Sequence, residues 1–111
     1  MSLTFNLSEQ QSVHVASLKG KITSSPDIEQ LNTTLAALSG NIIFELTELT
    51  HINSTGINLF IKTLTRSRVN GHELVLCGIN GNVKQLFELA KIDGLFKQFE
   101  TLEDSINHFK Q

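Results

Sequence analysis

The chain has 111 residues, close to the commonest domain size, so a single domain spanning residues 1–111 is expected. Apolar residues make up 40% and charged residues 18%, which excludes the composition of an intrinsically disordered chain. The formal net charge of −2 offers no basic surface for nucleic-acid phosphates, so DNA or RNA binding is not expected.

The chain is predicted to begin with two strands joined as a hairpin. Apolar residues alternate with polar ones at Leu3, Phe5 and Leu7, and again from Val13 onwards. The short polar segment 8–11 lies between the two runs and is expected to contain the turn.

A helix is predicted after the hairpin, in the segment "SSPDIEQLNTTLAALSG". Either Ser24 or Ser25 caps it, because Pro26 follows at a position typical of a first helical turn. Gly40 ends it. The apolar residues that recur with helical spacing are Ile28, Leu31, Leu35 and Leu38.

The middle of the chain is predicted to form a buried strand and a second helix. The strand "NIIFEL", residues 41–46, is apolar almost throughout, as expected of a strand covered on both faces. The helix begins near Ser54 and ends at Asn70 and Gly71. Its inward residues are predicted to be Ile57, Phe60, Ile61 and Leu64, and its outward residues Lys62, Arg66 and Arg68.

The last part of the chain is predicted to contain two more strands and two more helices. These are the strand "HELVLCG", a helix that starts at Asn80 and Gly81, a short strand in "LFKQFE" and a capped terminal helix in "TLEDSINHF". The resulting order is β-β-α-β-α-β-α-β-α.

This order predicts an α/β fold with a mixed, mainly parallel sheet, an N-terminal antiparallel hairpin and about four helices. In such sheets the turns after parallel strands gather along the carboxyl edge, where ligands and partners usually bind. The segments 20–25, 47–54 and 78–81 are therefore expected to lie along one functional edge.

The turn formed by Asn53, Ser54, Thr55 and Gly56 lies at this edge and has two interpretations. It can be a plain helix cap, because Asn, Ser and Thr accept hydrogen bonds from free backbone amides. It can also be a phosphorylation site, because a phosphate there would meet unpaired amides and the positive end of the helix dipole.

Other candidate chemistry is not supported by the residue pattern. His51 precedes Ser54 by three residues, but the segment lacks the Gly-x-Ser-x-Gly elbow of a serine hydrolase, so no catalytic residue is expected. The four histidines share no metal-ligand spacing with Cys77 or with each other, and Cys77 is interpreted as a buried side chain. No metal site is therefore predicted. The turn 78–82 resembles a phosphate-cradling turn in its two glycines but lacks the Lys and hydroxyl of a P-loop, so no cofactor is predicted and nucleotide binding is kept as a minor alternative.

The chain is expected to be a cytoplasmic protein. Its first residues, "MSLTFNLSEQ", lack the basic start and apolar stretch of a secretory signal, and one cysteine cannot form an internal disulfide. No apolar run is long enough to span a bilayer, so no membrane insertion is expected.

The segment "NIIFELTELTHINSTGINLFIKTL" resembles the central segment of STAS domains, the fold of bacterial anti-sigma factor antagonists. That family's pattern is an apolar strand, Asp-Leu-Ser, a few residues, and then Asp-Ser-Ser-Gly or Asp-Ser-Thr-Gly at the start of a helix. The preceding hairpin and the elements that follow also fall in the family's order, so the resemblance extends over most of the chain.

The resemblance implies a regulator that switches partners and is not an enzyme. In the family, a serine kinase of the GHKL ATPase fold, which is also the anti-sigma factor, binds the antagonist and phosphorylates the Ser after the Asp. A metal-dependent serine phosphatase removes the phosphate. The matching residue here is Ser54. The alternative that the resemblance leaves open is a non-phosphorylated STAS subunit of a lipid ABC transporter or a scaffold complex.

Several positions depart from the family pattern. Asn53 replaces the usual Asp, Thr55 matches a known variant, and His51 stands where an apolar residue is common. Glu45 replaces the strand Asp or Asn, and Asn58 occupies the site of a frequent second Gly.

A partner is expected to contact the segment around Ser54, the outward face of the helix that starts there, and the turn at 78–81. Charged residues at the rim of such a surface mainly tune the association rate. The residues assigned to partner binding are Asn53, Thr55, Gly56, Asn58, Lys62, Arg66, Gly78, Asn80 and Gly81.

Overall fold

The computed structural model describes residues 3–110, and its strands and helices follow the predicted order except for one additional strand between the third strand and the second helix. The strands are β1 (Leu3–Gln10), β2 (Val13–Ile22), β3 (Ile42–Glu45), β4 (Leu49–Ile52), β5 (Leu74–Cys77) and β6 (Lys97–Phe99). The α-helices are α1 (Ser25–Ala36), α2 (Ser54–Val69), α3 (Gly81–Leu89) and α4 (Leu102–Phe109), and a short 3-10 turn spans Asp93–Leu95.

The alternating pattern at the start of the chain forms the predicted hairpin. β1 and β2 pair antiparallel from Leu3 opposite Gly20 to Gln10 opposite Val13. The two residues between the strands, Gln11 and Ser12, both have positive φ, at 52° and 70°. This is the conformation of a two-residue turn whose twist matches that of the flanking strands.

The remaining strand pairs are parallel, so the predicted mixed, mainly parallel sheet is confirmed. The strand order is β1-β2-β3-β5-β6. β4 also pairs with β2, at residues 20–22, whereas β3 pairs with β2 at residues 14–17. β3 and β4 thus follow one another along the same side of β2.

Helices cover both faces of the sheet. Ile42 and Phe44 of β3 belong to the larger core, which includes buried residues of α1, α2 and α3. Ile43, between them, belongs to a smaller core with Ile106 of α4. Burial on both sides explains why β3 and β5 consist almost entirely of apolar residues, as predicted for a covered strand.

β4 was not predicted from the sequence, which suggested an irregular segment between β3 and α2. Leu49 and Ile52 are buried but Thr50 and His51 between them are exposed, so the segment does not alternate as a half-buried strand does. Its pairing with β2 creates the strand. This pairing continues into the next residue, since the Asn53 amide donates to the Ile22 carbonyl at 3.0 Å.

Candidate functional site

Asn53 fixes the start of α2 at the carboxyl ends of β2 and β4. Its side-chain Oδ1 accepts a hydrogen bond from the Gly56 amide at 2.8 Å, which is the N-cap interaction. Its Nδ2 donates to the Thr23 carbonyl at 3.1 Å. A carboxylate could make the first bond but not the second, because it has no hydrogen to donate. The amide therefore both caps α2 and joins it to the connection between β2 and α1.

Ser54 is the first residue of α2 and is exposed, as is Thr55 after it. The first turn of α2 contains no Asp or Glu. By helix geometry the amides of Ser54 and Thr55 have no partner within the helix, and the positive end of the helix dipole lies here. The hydroxyl of Ser54 is thus open to a modifying enzyme, in a place that favours a negative group.

His51 is not arranged as a base for Ser54. Its Nδ1 lies 3.0 Å from Thr50 Oγ1, and no hydrogen bond joins His51 to Ser54 within residues 3–110. The arrangement is therefore not that of an activated serine nucleophile, in which base and nucleophile are hydrogen-bonded.

Gly56 is buried, in contrast to the exposed position expected of a partner contact. A Cβ atom there would lie 2.7 Å from Ile52 Cγ1 and 2.8 Å from Ile22 Cγ2. Gly56 therefore lets the first turn of α2 pack closely on the ends of β2 and β4. Its role is to support the position of Ser54, and it offers no surface of its own.

A groove between α1 and α2 begins at Thr55. It has a volume of about 210 Å³ and is bordered on α2 by Thr55, Asn58 and Lys62, three of the residues assigned to partner binding. The side that belongs to α1 was not foreseen, because the sequence pattern did not show which helices are neighbours. The residues that α1 contributes are Ile28, Glu29 and Asn32.

Arg66 differs from the exposed rim residue that the helical register predicted. It is half-buried, and its Nη2 donates to Asn32 Oδ1 at 3.4 Å. It borders a separate cavity at the carboxyl end of α2, with His72 and residues that follow α1. Arg66 therefore does not border the groove that contains Asn58 and Lys62, although it contacts Asn32 at the edge of that groove.

The turn at 78–81 forms a second surface at the same sheet edge. Gly78 has a φ of +73°, and a Cβ atom there would clash with the side chain of Thr47, so glycine is required. Asn80 Nδ2 donates to the Thr47 carbonyl at 3.2 Å, which joins the turn to the segment before β4. Gly81 is exposed with a φ of +56°.

The helix that follows the turn at 78–81, α3, packs beside β4, the strand that leads into the start of α2. A hollow of about 410 Å³ adjoins the second surface and is bordered by Thr47, Asn80, Lys84 and Glu100. The segments that the topology predicted to gather at the carboxyl edge are thus at that edge.

Cys77 is buried beneath α4 and not at this edge surface. Burial raises the pKa of its thiol from 9.0 to about 11. The hydrogen bond to Ser105 lowers this pKa and the nearby Glu45 carboxylate raises it, each by less than burial does. Cys77 is a buried side chain, as predicted.

Within residues 3–110, no group of three or more His, Cys, Asp and Glu side chains is arranged to hold a metal ion. None of the helices in that range is both long and apolar enough to cross a membrane.

Comparison with known proteins identifies a family and several relatives. The STAS domain family matches residues 4–105. The protein BtrV of Bordetella bronchiseptica is 28% identical over 100 residues, covering 86% of this chain and 85% of its own. The anti-sigma-B factor antagonist of Staphylococcus aureus is 24% identical over 106 residues, covering 93% and 98%.

Solved structures of the anti-sigma factor antagonist SpoIIAA superpose on the chain in two states. The unphosphorylated form has a TM-score of 0.83 at 17% identity and covers 96% of each chain. The phosphorylated form from Bacillus has a TM-score of 0.76 at 16% identity, covering 96% of this chain and 99% of its own. At sequence identities this low, the similarity shows that the fold is shared and shows nothing further.

Proposed function

The chain belongs to the STAS domain family, and we propose that it is an anti-sigma factor antagonist whose binding to a serine kinase is controlled by phosphorylation of Ser54. The observation that carries this proposal is the exposed Ser54 hydroxyl at the capped start of α2. The names of the relatives support the antagonist role, and the phosphorylated and unphosphorylated forms of SpoIIAA support phosphate control.

The proposed partners are those that the resemblance implies. A GHKL-type serine kinase that also serves as the anti-sigma factor binds the unmodified chain and is thereby withdrawn from its sigma factor. A metal-dependent serine phosphatase restores the unmodified chain. The contact surface is the groove between α1 and α2 next to Ser54, together with the turn at 78–81.

The free domain can carry a phosphate on Ser54 at little cost to its fold. A phosphate adds about −1.5 to −2 charges, and both neighbouring side chains, Asn53 and Thr55, are neutral. The dipole of α2 favours that charge by roughly 0.3 to 1 kcal/mol at an exposed position.

The complex is more sensitive to the same phosphate. A partner that covers the groove removes water from Ser54, and the one carboxylate of the groove, Glu29, is matched by one ammonium group, Lys62, so its lining holds no excess positive charge for a phosphate. Burying a new negative charge on a surface fitted to a neutral hydroxyl costs desolvation and repulsion energy. Phosphorylation is therefore expected to release the partner while leaving the domain folded.

The test is phosphorylation by the cognate kinase followed by mapping of the modified peptide. Incubation with kinase and ATP should modify wild-type protein once, at Ser54, and should leave Ser54→Ala unmodified. Thr55→Ala is the matched control for the site of modification, since it removes the adjacent exposed hydroxyl, and it should still be modified once, at Ser54. Modification at Thr55, or none with a kinase that binds the chain, would contradict the proposal. Copurification with a membrane transport ATPase and no phosphate would instead support the transporter-subunit alternative.

A further inference from the structure

A cavity of about 230 Å³ lies at the end of α2 opposite Ser54. Its walls come from the segment after α1, including Ser39 and Gly40, and from Arg66 and Ser67 in the last turn of α2 with His72 beyond it. The volume is far larger than the ~15 Å³ that one water molecule requires and smaller than the ~300 Å³ of a site for a drug-sized ligand. It suits a ligand of a few heavy atoms.

Arg66 brings a partly unpaired guanidinium to this cavity. Its Nη1 is shielded from solvent and has no hydrogen-bond acceptor among residues 3–110. Its Nη2 donates to Asn32 Oδ1 at 3.4 Å, a long and therefore weak bond. Buried donors in native proteins nearly always have a partner, and an unpaired one on a charged group is costly.

The cavity also lacks a counter-ion for Arg66. None of the residues that border it is an Asp or Glu. Ser39, Ser67 and His72 border it and carry groups that can donate further hydrogen bonds. The cavity therefore combines a fixed positive charge with neutral donors.

The negative end of the α2 dipole, which would repel an anion, is partly neutralised. The Arg66 carbonyl accepts hydrogen bonds from the Asn70 backbone amide at 3.2 Å and from its side chain at 3.0 Å. The Ser67 carbonyl accepts from the His72 amide at 2.8 Å. Carbonyl groups paired in this way contribute less to the unsatisfied charge at the helix end.

We propose that this cavity binds a small oxyanion, a phosphate or carboxylate group, with Arg66 as its anchoring cation. The planar guanidinium is suited to such groups because it can donate two parallel hydrogen bonds to their oxygens. Since Nη1 holds no acceptor and Nη2 only a long bond, the group can turn toward the cavity without losing a strong interaction. The site is separate from Ser54 and does not depend on the function proposed above.

The test is an NMR titration of the intact protein with inorganic phosphate and, separately, with acetate, each compared with sodium chloride at equal ionic strength. The signals to follow are the Arg66 side-chain N–H and the backbone amides of residues 38–42 and 66–72. At least one oxyanion should give saturable shifts that chloride does not, and the two arms tell phosphate from carboxylate recognition.

Variants assign the binding to Arg66. Arg66→Gln should weaken binding by about tenfold or more, whereas Arg68→Gln should leave it within about twofold. Arg68 is the matched control because it is an exposed arginine in the same turn of α2, and its Nη2 donates to the Leu95 carbonyl instead. Arg66→Lys keeps the charge without the planar fork and should bind more weakly than wild type, which keeps the test decisive if Arg66→Gln does not fold.

Shifts that rise linearly and equally with phosphate, acetate and chloride would overturn the proposal. Equal affinity in wild type and the Arg66 variants would overturn it as well. Ser54→Asp should bind the oxyanion like wild type, so a failure of the proposed phosphoswitch and a failure of this site remain distinguishable.

Discussion

The side chain of Asn53 donates a hydrogen bond to the Thr23 carbonyl at 3.1 Å while it caps α2 through the Gly56 amide. One amide group thus holds the helix that begins at Ser54 against the end of β2. The family pattern has Asp at this position, which could provide the cap alone. In this chain the position of Ser54 is fixed by a neutral group with two partners.

Asn53→Ala should lower the free energy of unfolding by about 1 to 2 kcal/mol, because it removes both the cap and the bond to Thr23. Asn53→Asp should cost less than about 1 kcal/mol, since its carboxylate keeps the cap and gains from the helix dipole but loses the donor. Chemical denaturation of both variants and wild type measures these changes. If Asn53→Ala were as stable as wild type, the two bonds would not contribute to the fold.

Gly56→Ala should destabilise the domain by about 1 to 3 kcal/mol, the usual cost of forcing a methyl group into a packed core. The added Cβ would lie within 3 Å of both Ile22 and Ile52. Gly94→Ala is the matched control, since a Cβ at Gly94 meets nothing within 4 Å. Thermal denaturation should show a clear loss for the first variant and little change for the second. An unchanged Tm for Gly56→Ala would mean that α2 does not pack this closely.

Features of the fold that depend only on local sequence pattern could be predicted, and those that depend on pairing with distant strands could not. The hairpin was predictable because Phe5 and Leu7 alternate with polar neighbours, and the start of α2 because a capping residue precedes Ser54. β4 was not, since exposed Thr50 and His51 break the alternation and only pairing with β2 makes the segment a strand.

The candidate site was predictable on α2 but not on α1. Asn58 and Lys62 were expected to be exposed from helical spacing, and they are. Which residues of α1 face them, and that Arg66 borders a different cavity, depends on how the two helices pack. Helical spacing within one segment carries no information about its neighbour.

The free energy of unfolding should decrease between about pH 9 and 11, and part of this decrease should depend on Cys77. Burial raises the pKa of this thiol from 9.0 to about 11, so the unfolded chain loses the proton first as the pH rises. Above pH 9 the unfolded state therefore binds fewer protons than the native state, and the free energy of unfolding decreases. Cys77→Ala should show a smaller decrease when denaturation is measured across this range. The same slope in both proteins would show that the thiol does not titrate differently on folding.

Lys62→Glu should slow association with the partner kinase and alter its salt dependence, because Lys62 is exposed on the groove next to Ser54. Lys110→Glu is the matched control, since it makes the same charge change at the end of α4, which packs on the opposite face of the sheet. Surface plasmon resonance at two salt concentrations measures both. Equal association rates for the two variants would place the contact surface elsewhere.

Ser54 lies at the start of α2 but does not cap the helix. Because Asn53, and not Ser54, supplies the cap of α2, Ser54→Ala and Ser54→Asp should both leave the free energy of unfolding within about 1 kcal/mol of wild type. Their effects on the partner should be opposite: Ser54→Ala should bind the kinase persistently in the presence of ATP, whereas Ser54→Asp should bind it more weakly.

The expected loss of affinity for the kinase follows from the charge that must be buried in the complex. A phosphate that cost ~3 to 4 kcal/mol in the complex would lower affinity by two to three orders of magnitude, enough to release a partner held at sub-micromolar strength. Ser54→Asp carries a smaller charge and should lose less. Isothermal titration calorimetry with wild-type, Ser54→Asp and phosphorylated protein measures the series. If all three bound the kinase equally, burying negative charge at residue 54 would cost no binding free energy, and that charge would not control the complex.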